Sequence, residues 1–224
     1  MLIHYVNTRY EIRLKYVEEY ELSTKELVLL EALKLFLKKG FTDVSINEIA
    51  QNTGIAKASL FHHFKNKEVL LTSVIEKYFF SFLDRLNAEI YHMKGDVKDK
   101  LYYLFMSLNN KEQEFRVIIN DNDIEFKSFF FLLMEGLKKF THFSEYYKKY
   151  HDKRIHLIKS LLNEGKKNGE IISEIDVNKT TAFVDTVFNG LIMTAIISEK
   201  DKKKDTFQFI FEIIWDQIKV KKQS

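Results

Sequence analysis

The sequence predicts an all-α protein, and three observations carry that expectation. It contains no proline and only 7 glycines in 224 residues, so few positions can break a helix. Apolar side chains recur at helical spacing along most of its length. Serine–glutamate capping pairs stand where the first of those stripes begin.

The elements follow in order. Ser23-Thr24-Lys25-Glu26 forms a capping box, in which the serine oxygen takes a free amide and the glutamate reaches back. Behind it Leu27, Leu30, Leu33 and Leu37, widened by Phe36, make a helical stripe that Gly40 ends. A second box, Ser45-Ile46-Asn47-Glu48, opens a short helix with Ile46, Ile49 and Ala50 inward, and Gly54 ends it. A third, over 57–63, points Leu60, Phe61 and Phe64 inward. Asn66 caps a long helix over 67–93, stopped at Gly95. Further helices are expected over 97–108, 127–140, 145–167, 177–198 and 204–221, with Asp96, Ser144 and Asp176 as N-caps. Residues 109–126 fit either a short helix or a loop.

Composition narrows the function. A net charge of +3 confines any nucleic-acid footprint to a local surface. The absence of cysteine removes disulfides, zinc–thiolate sites and thiol catalysis together. No apolar run reaches the roughly 18 residues of a membrane span, and the N-terminus lacks a signal peptide's pattern, so a cytoplasmic location is expected. The chain divides into an extension over 1–22, a domain over 23–71 and a larger, aromatic-rich domain over 72–224. In the extension, Arg9, Arg13 and Lys15 are outnumbered by Glu11, Glu18, Glu19 and Glu21, which favours a helix packed on the domain over an arm on DNA.

The helices between Thr24 and Phe64 read as a helix-turn-helix. The last two are short, joined at Thr53-Gly54-Ile55, and the second is basic. In such a unit one helix crosses the phosphate backbone and the next lies in a major groove about 12 Å wide. The run FTDVSINEIAQNTGIAKASLFHHFKNKEVL resembles the N-terminal DNA-binding domain of the TetR family of bacterial transcriptional regulators. The segments EGKKNGEI and FVDTVFNGL are similar to that family's last three helices. The resemblance implies an all-α homodimeric repressor on operator DNA, without catalytic residues, metal or cofactor, released by a small, largely apolar effector. By that resemblance Ser45 donates to a phosphate, Lys57, Ala58 and Ser59 lie where the reading helix meets the groove, His63 and Lys67 clamp phosphates, and His62 touches base or backbone. Ala56 stands where a serine cap is usual, and Ala58 where glycine is common, adding a methyl that favours a thymine methyl.

The residues permit other readings, each weaker. His62 and His63 are helix neighbours about 100° apart and do not converge on an ion. Phe105, Phe129, Phe130, Met134, Phe188 and Met193 are candidate apolar walls of an effector pocket, with His92, Glu135, His156 and Asn189 as polar anchors. Phe183, Val187, Leu191, Phe207, Phe211, Ile214 and Trp215 are the candidate dimer contacts. The alternatives are a DNA-binding protein of the same fold with no small-molecule inducer, serving in architecture or answering to a protein partner, and a helical enzyme with an incidental helix-turn-helix.

Overall fold

A computed structural model describes residues 22–197 and 203–221; the extension over 1–21 lies outside the described residues. The described chain is helical: α1 (Thr24–Lys39), α2 (Ile46–Thr53), α3 (Lys57–His63), α4 (Lys67–Ile75), a π-helical turn (Glu76–Phe80), α5 (Ser81–His92), α6 (Val97–Ile119), α7 (Lys127–Lys139), α8 (Thr141–Lys167), α9 (Val177–Ile197) and α10 (Lys203–Ile218). The nearest approach to a sheet among the described residues is one antiparallel bridge, Ile171 to Lys219. No helix in this region is long and apolar enough to cross a membrane.

The sequence signals act as expected at most boundaries. Ser23 and Glu26 close their capping box reciprocally. Asn66 accepts from the Val69 amide, Asp96 from Asp99, and Asp176 from Asn178 and Lys179. Gly54 ends α2 in the left-handed region at φ 69°, which a Cβ disfavours. Ser144 is not a cap, because α8 begins at Thr141. The ambiguous stretch resolves into continued helix to Ile119, ended by Asn120 at φ 47°. The long helix expected over 67–93 runs to His92 and contains a π turn over Glu76–Phe80, where the Ser81 hydroxyl donates to the Glu76 carbonyl at 2.8 Å.

The chain clusters into two units. Residues 22–82 and 111–144 form the first, and 83–110 with 145–197 and 203–221 the second. In the first, Val28, Ala32, Leu33 and Phe36 of α1 are buried, while Leu27 is 37% exposed. The buried face of α1 keeps Leu33, Phe36 and Leu37 of the expected stripe and adds Val28, Leu29, Ala32 and Leu35, while Leu27 and Leu30 lie at its edge or outside it. Phe41, Phe115, Phe126 and Phe129 fill out this core, with Phe115 and Phe126 edge to face at 5.2 Å. In the second unit Phe105 is the hub, its ring 5.6 Å from both Phe188 and Phe211. Gly165 admits the close approach of Ile171, whose atoms lie 2.6 Å from where a Cβ would stand.

Candidate DNA interface

The loop between α1 and α2 and the start of α4 set the geometry of α2 and α3. The ammonium of Lys67 donates to three backbone carbonyls, those of Phe41 at 2.8 Å, Thr42 at 3.1 Å and Val44 at 2.7 Å. It also lies 4.5 Å from the centre of the Phe41 ring. An ammonium has three N–H donors, so none is left for a phosphate. Lys67 therefore staples the loop rather than clamping DNA, a correction to the sequence expectation. Burial lowers its pKa from the ordinary lysine value, and the neighbouring Lys139 charge lowers it further.

The same loop is held from α7. The Glu135 carboxylate accepts from the Phe41 amide at 3.1 Å and the Thr42 hydroxyl at 2.9 Å, and pairs with Lys139 at 2.8 Å. Burial works against its charge, but Lys139, Phe41 and Thr42 together hold its pKa below the usual carboxylate value. Phe140 stands edge to face on Phe41 at 5.5 Å. Glu135 is thus a partner of the loop, not a free polar anchor.

Held this way, α2 and α3 present a sharply divided surface. Ser45 caps α2 by accepting from the Glu48 amide at 3.1 Å, a bond that leaves its own hydroxyl proton to donate. On α3, Leu60 and the following Phe64 are buried at 0% and 1% exposure. Lys57, Ala58, His62 and His63 are exposed and Ser59 half-buried, as expected of a reading face. Phe61 departs from expectation. It is 41% exposed, because Leu60 and Phe64, four residues apart, already occupy the inward side of this short helix. Ala56 makes no side-chain cap bond. Ala56→Ser is therefore expected to stabilise the protein by about 1 kcal/mol, visible as a raised urea midpoint at unchanged slope.

A family model described as "Bacterial regulatory proteins, tetR family" matches residues 28–74, the segment that builds this surface. Residues 28–74 carry the TetR-family DNA-binding domain. YerO, an uncharacterized HTH-type transcriptional regulator of Bacillus subtilis, is 46% identical over 54 residues, 24% of this chain and 19% of that relative. That likeness spans a small part of the relative. QacR, an HTH-type transcriptional regulator of Staphylococcus aureus, is 24% identical over 193 residues, 85% of this chain and 97% of that one. The crystal structure of a putative transcriptional regulator from Saccharomonospora viridis in complex with choline superposes with a TM-score of 0.67 at 16% identity, over 88% of this chain and 98% of that one. That likeness is one of helical fold.

The other candidate residues are dispersed. Phe129, Phe130, Met134 and Glu135 lie in the first unit, and Met134 is 43% exposed. In the second, Phe105 and Phe188 are packed core, His92 is exposed and Met193 is 52% exposed. Asn189 is engaged: its carbonyl accepts from Arg154 at 2.9 Å and its amide donates to Asp185 at 3.0 Å. His156 lines an open groove of about 930 Å³ with Asn87, Tyr91, Lys149 and Leu157, within the second unit. Of the candidate dimer residues, Leu191, Phe207, Phe211, Ile214 and Trp215 are buried inside that unit and have no surface to offer a partner. Phe183 is 54% exposed and Val187 is half-buried. Phe209 at 61% and Ile213 at 45%, on the other side of α10, escaped the sequence reading. Uniformly apolar helices carry little phase information, so sequence alone does not separate their buried residues from their exposed ones.

Proposed function

We propose that this protein is a cytoplasmic, sequence-specific DNA-binding repressor of the TetR family that acts by binding rather than catalysis and leaves its operator when a small, largely apolar ligand binds. The carrying observation is the division of α3, with Leu60 and Phe64 buried while Lys57, Ala58, His62 and His63 face outward. Ser45 supplies a phosphate donor beside it. Exposed Phe183 and Met193 on α9, with Phe209 and Ile213 on α10, suit association with a second copy. A two-fold dimer would set two reading helices on half-sites about 34–36 Å apart. The choline complex of the Saccharomonospora viridis regulator supports a small-molecule effector here as well. Such a ligand acts only through its differential affinity for DNA-bound and released geometries. Glu135 and Phe140, which grip the 40–44 loop, are the contacts through which α7 would bias the reading surface.

Selection of duplexes from a random library by the wild-type chain, followed by salt titration of the winner, tests the reading. A palindromic site bound by a dimer, with affinity falling steeply as salt rises, is expected. Enrichment of no sequence, or binding by monomer alone, would sink it. The close packing of Phe105, Phe188 and Phe211 favours a second reading, DNA binding without a small-molecule inducer.

A further inference from the structure

We infer that His142 is a positioning residue for the DNA-reading surface and that a proton engages it, its imidazolium tying the junction of α7 and α8 to the start of α4. The assignment rests on the DNA-binding reading above. His142 opens α8, two residues after the Phe140 ring that stands on Phe41. Against it on α4 are Glu68 and Thr72, four residues apart and so on one side of that helix. Both ring nitrogens are used. Nε2 lies 2.9 Å from the Thr72 hydroxyl oxygen, and Nδ1 lies 3.5 Å from a Glu68 carboxylate oxygen. The Thr72 hydroxyl also donates to the Glu68 carbonyl at 3.0 Å.

These three contacts need two ring protons. A hydroxyl has one proton, and a neutral imidazole has one N–H and one bare nitrogen. While Thr72 donates to the Glu68 carbonyl, Nε2 must be the donor to Thr72, and a neutral ring then turns a bare Nδ1 toward a carboxylate. Placing the ring proton on Nδ1 satisfies Glu68 but draws the Thr72 hydroxyl away from the carbonyl. Only the imidazolium, a donor at both nitrogens, makes all three contacts and adds the attraction of opposite charges. Histidine is the side chain whose charge ordinarily changes between about pH 5 and 8. The other titratable groups on the elements that meet here are Glu76 in the π turn, Lys138 on α7, and Glu145 and Tyr146 on α8. Lys67, Glu135 and Lys139 are engaged at the 40–44 loop.

The effect on the reading surface passes through Phe41. The His142 ring is 5.9 Å from Phe140 and 4.9 Å from Phe143, which is 1% exposed, so it is packed onto the segment that carries Phe140. Phe41 in turn belongs to the loop that Lys67, the neighbour of Glu68, holds by its carbonyls. Protonated His142 thus holds the Phe140–Phe41 contact from α4, and the loop leading to Ser45 and α2 keeps its placement.

The experiment titrates the duplex selected by the full-length wild-type chain at fixed salt, at pH 6 and at pH 8. The ratio of the two affinities should be about threefold larger for wild type than for His142→Gln, the worth of one part-exposed ion pair. Glutamine keeps a donor for Thr72 but takes up no charge. His62 and His63 titrate in both proteins, so their share of the response cancels. Glu68→Gln should lose the same threefold excess, and His142→Lys, charged at both pH values, should show none. Without DNA, the urea midpoint of wild type should fall between pH 6 and pH 8 by more than that of His142→Gln, because the folded chain offers the proton a contact with Glu68 that the unfolded chain lacks. Equal pH responses of wild type and His142→Gln in DNA affinity would overturn the inference. A difference in urea midpoint alone would also overturn it, leaving a structural contact with no hold on the reading surface. Failure of wild type to select any sequence would instead overturn the DNA-binding reading, and the positioning role with it.

Discussion

Asp185→Ala is expected to destabilise the protein by about 3–5 kcal/mol, the largest effect of any single polar change. The side chain of Arg154 on α8 is 2% exposed and that of Asp185 on α9 is 8% exposed. The guanidinium Nε donates to Asp185 Oδ1 at 2.7 Å, and a terminal nitrogen donates to Asn189 at 2.9 Å. His151 Nε2 lies 3.1 Å from the other Asp185 oxygen. Burial opposes the Arg154 charge, yet Tyr150 and Asp185 hold its pKa above the ordinary arginine value. Removing the carboxylate leaves a buried cation with only neutral partners. Its charge cannot be shed, because arginine stays protonated, so the full desolvation penalty falls on the folded state. Replacing both residues, as Arg154→Met with Asp185→Leu, should recover most of the loss, since the pair's net worth over apolar packing is small. Urea denaturation of the single and double variants measures both terms. A loss under about 1 kcal/mol for Asp185→Ala would show that water reaches the guanidinium. The same pair fixes the rotation of α9 about its axis, which leaves Phe183 and Met193 outward. If the chain pairs through that face as proposed, Asp185→Ala should also weaken self-association in sedimentation equilibrium.

Lys67→Met should destabilise the first unit by about 2–4 kcal/mol and weaken binding to every DNA sequence, with the salt dependence unchanged. The methionine keeps the stem but abandons three carbonyls, those of Phe41, Thr42 and Val44, where charge-assisted bonds are each worth about 1.5–3 kcal/mol and are partly replaced by water. Affinity falls because Ser45 and α3 lose their fixed placement, not because a phosphate contact disappears. The salt slope separates these causes: a lost phosphate contact would shallow it by about 1. Lys67→Arg should not rescue, since a planar guanidinium cannot converge on three oxygens around one point. A Lys67→Met variant of wild-type stability with a slope shallower by about 1 would return this lysine to the DNA.

How much was legible beforehand varied with the locality of the signal. The helices, their caps at Ser23, Ser45, Asn66, Asp96 and Asp176, and the turn at Gly54 depend on contacts between residues within a few positions of one another. Local chemistry is enough to place them. The outward side of α3 follows from the same local chemistry, except at Phe61, an apolar residue that its type predicts inward although Leu60 and Phe64 already fill the buried side. In α9 and α10 apolar residues occur on both the buried and the exposed sides. Hydrophobicity then no longer marks which side meets the core.

The sequence by itself determined an all-α chain with a helix-turn-helix near its start, because capping, periodicity and turn chemistry act over a few residues. Tertiary structure alone decided which charged groups are free to act. Lys67 and Glu135 read as a DNA clamp and a pocket anchor until the fold brings both to the same loop, and only the packing of α8 on α9 buries Arg154 and Asp185 together. A polar side chain's role depends on what stands within about 3 Å of it, and partners 26, 94 or 31 residues away are set by packing rather than by neighbouring sequence.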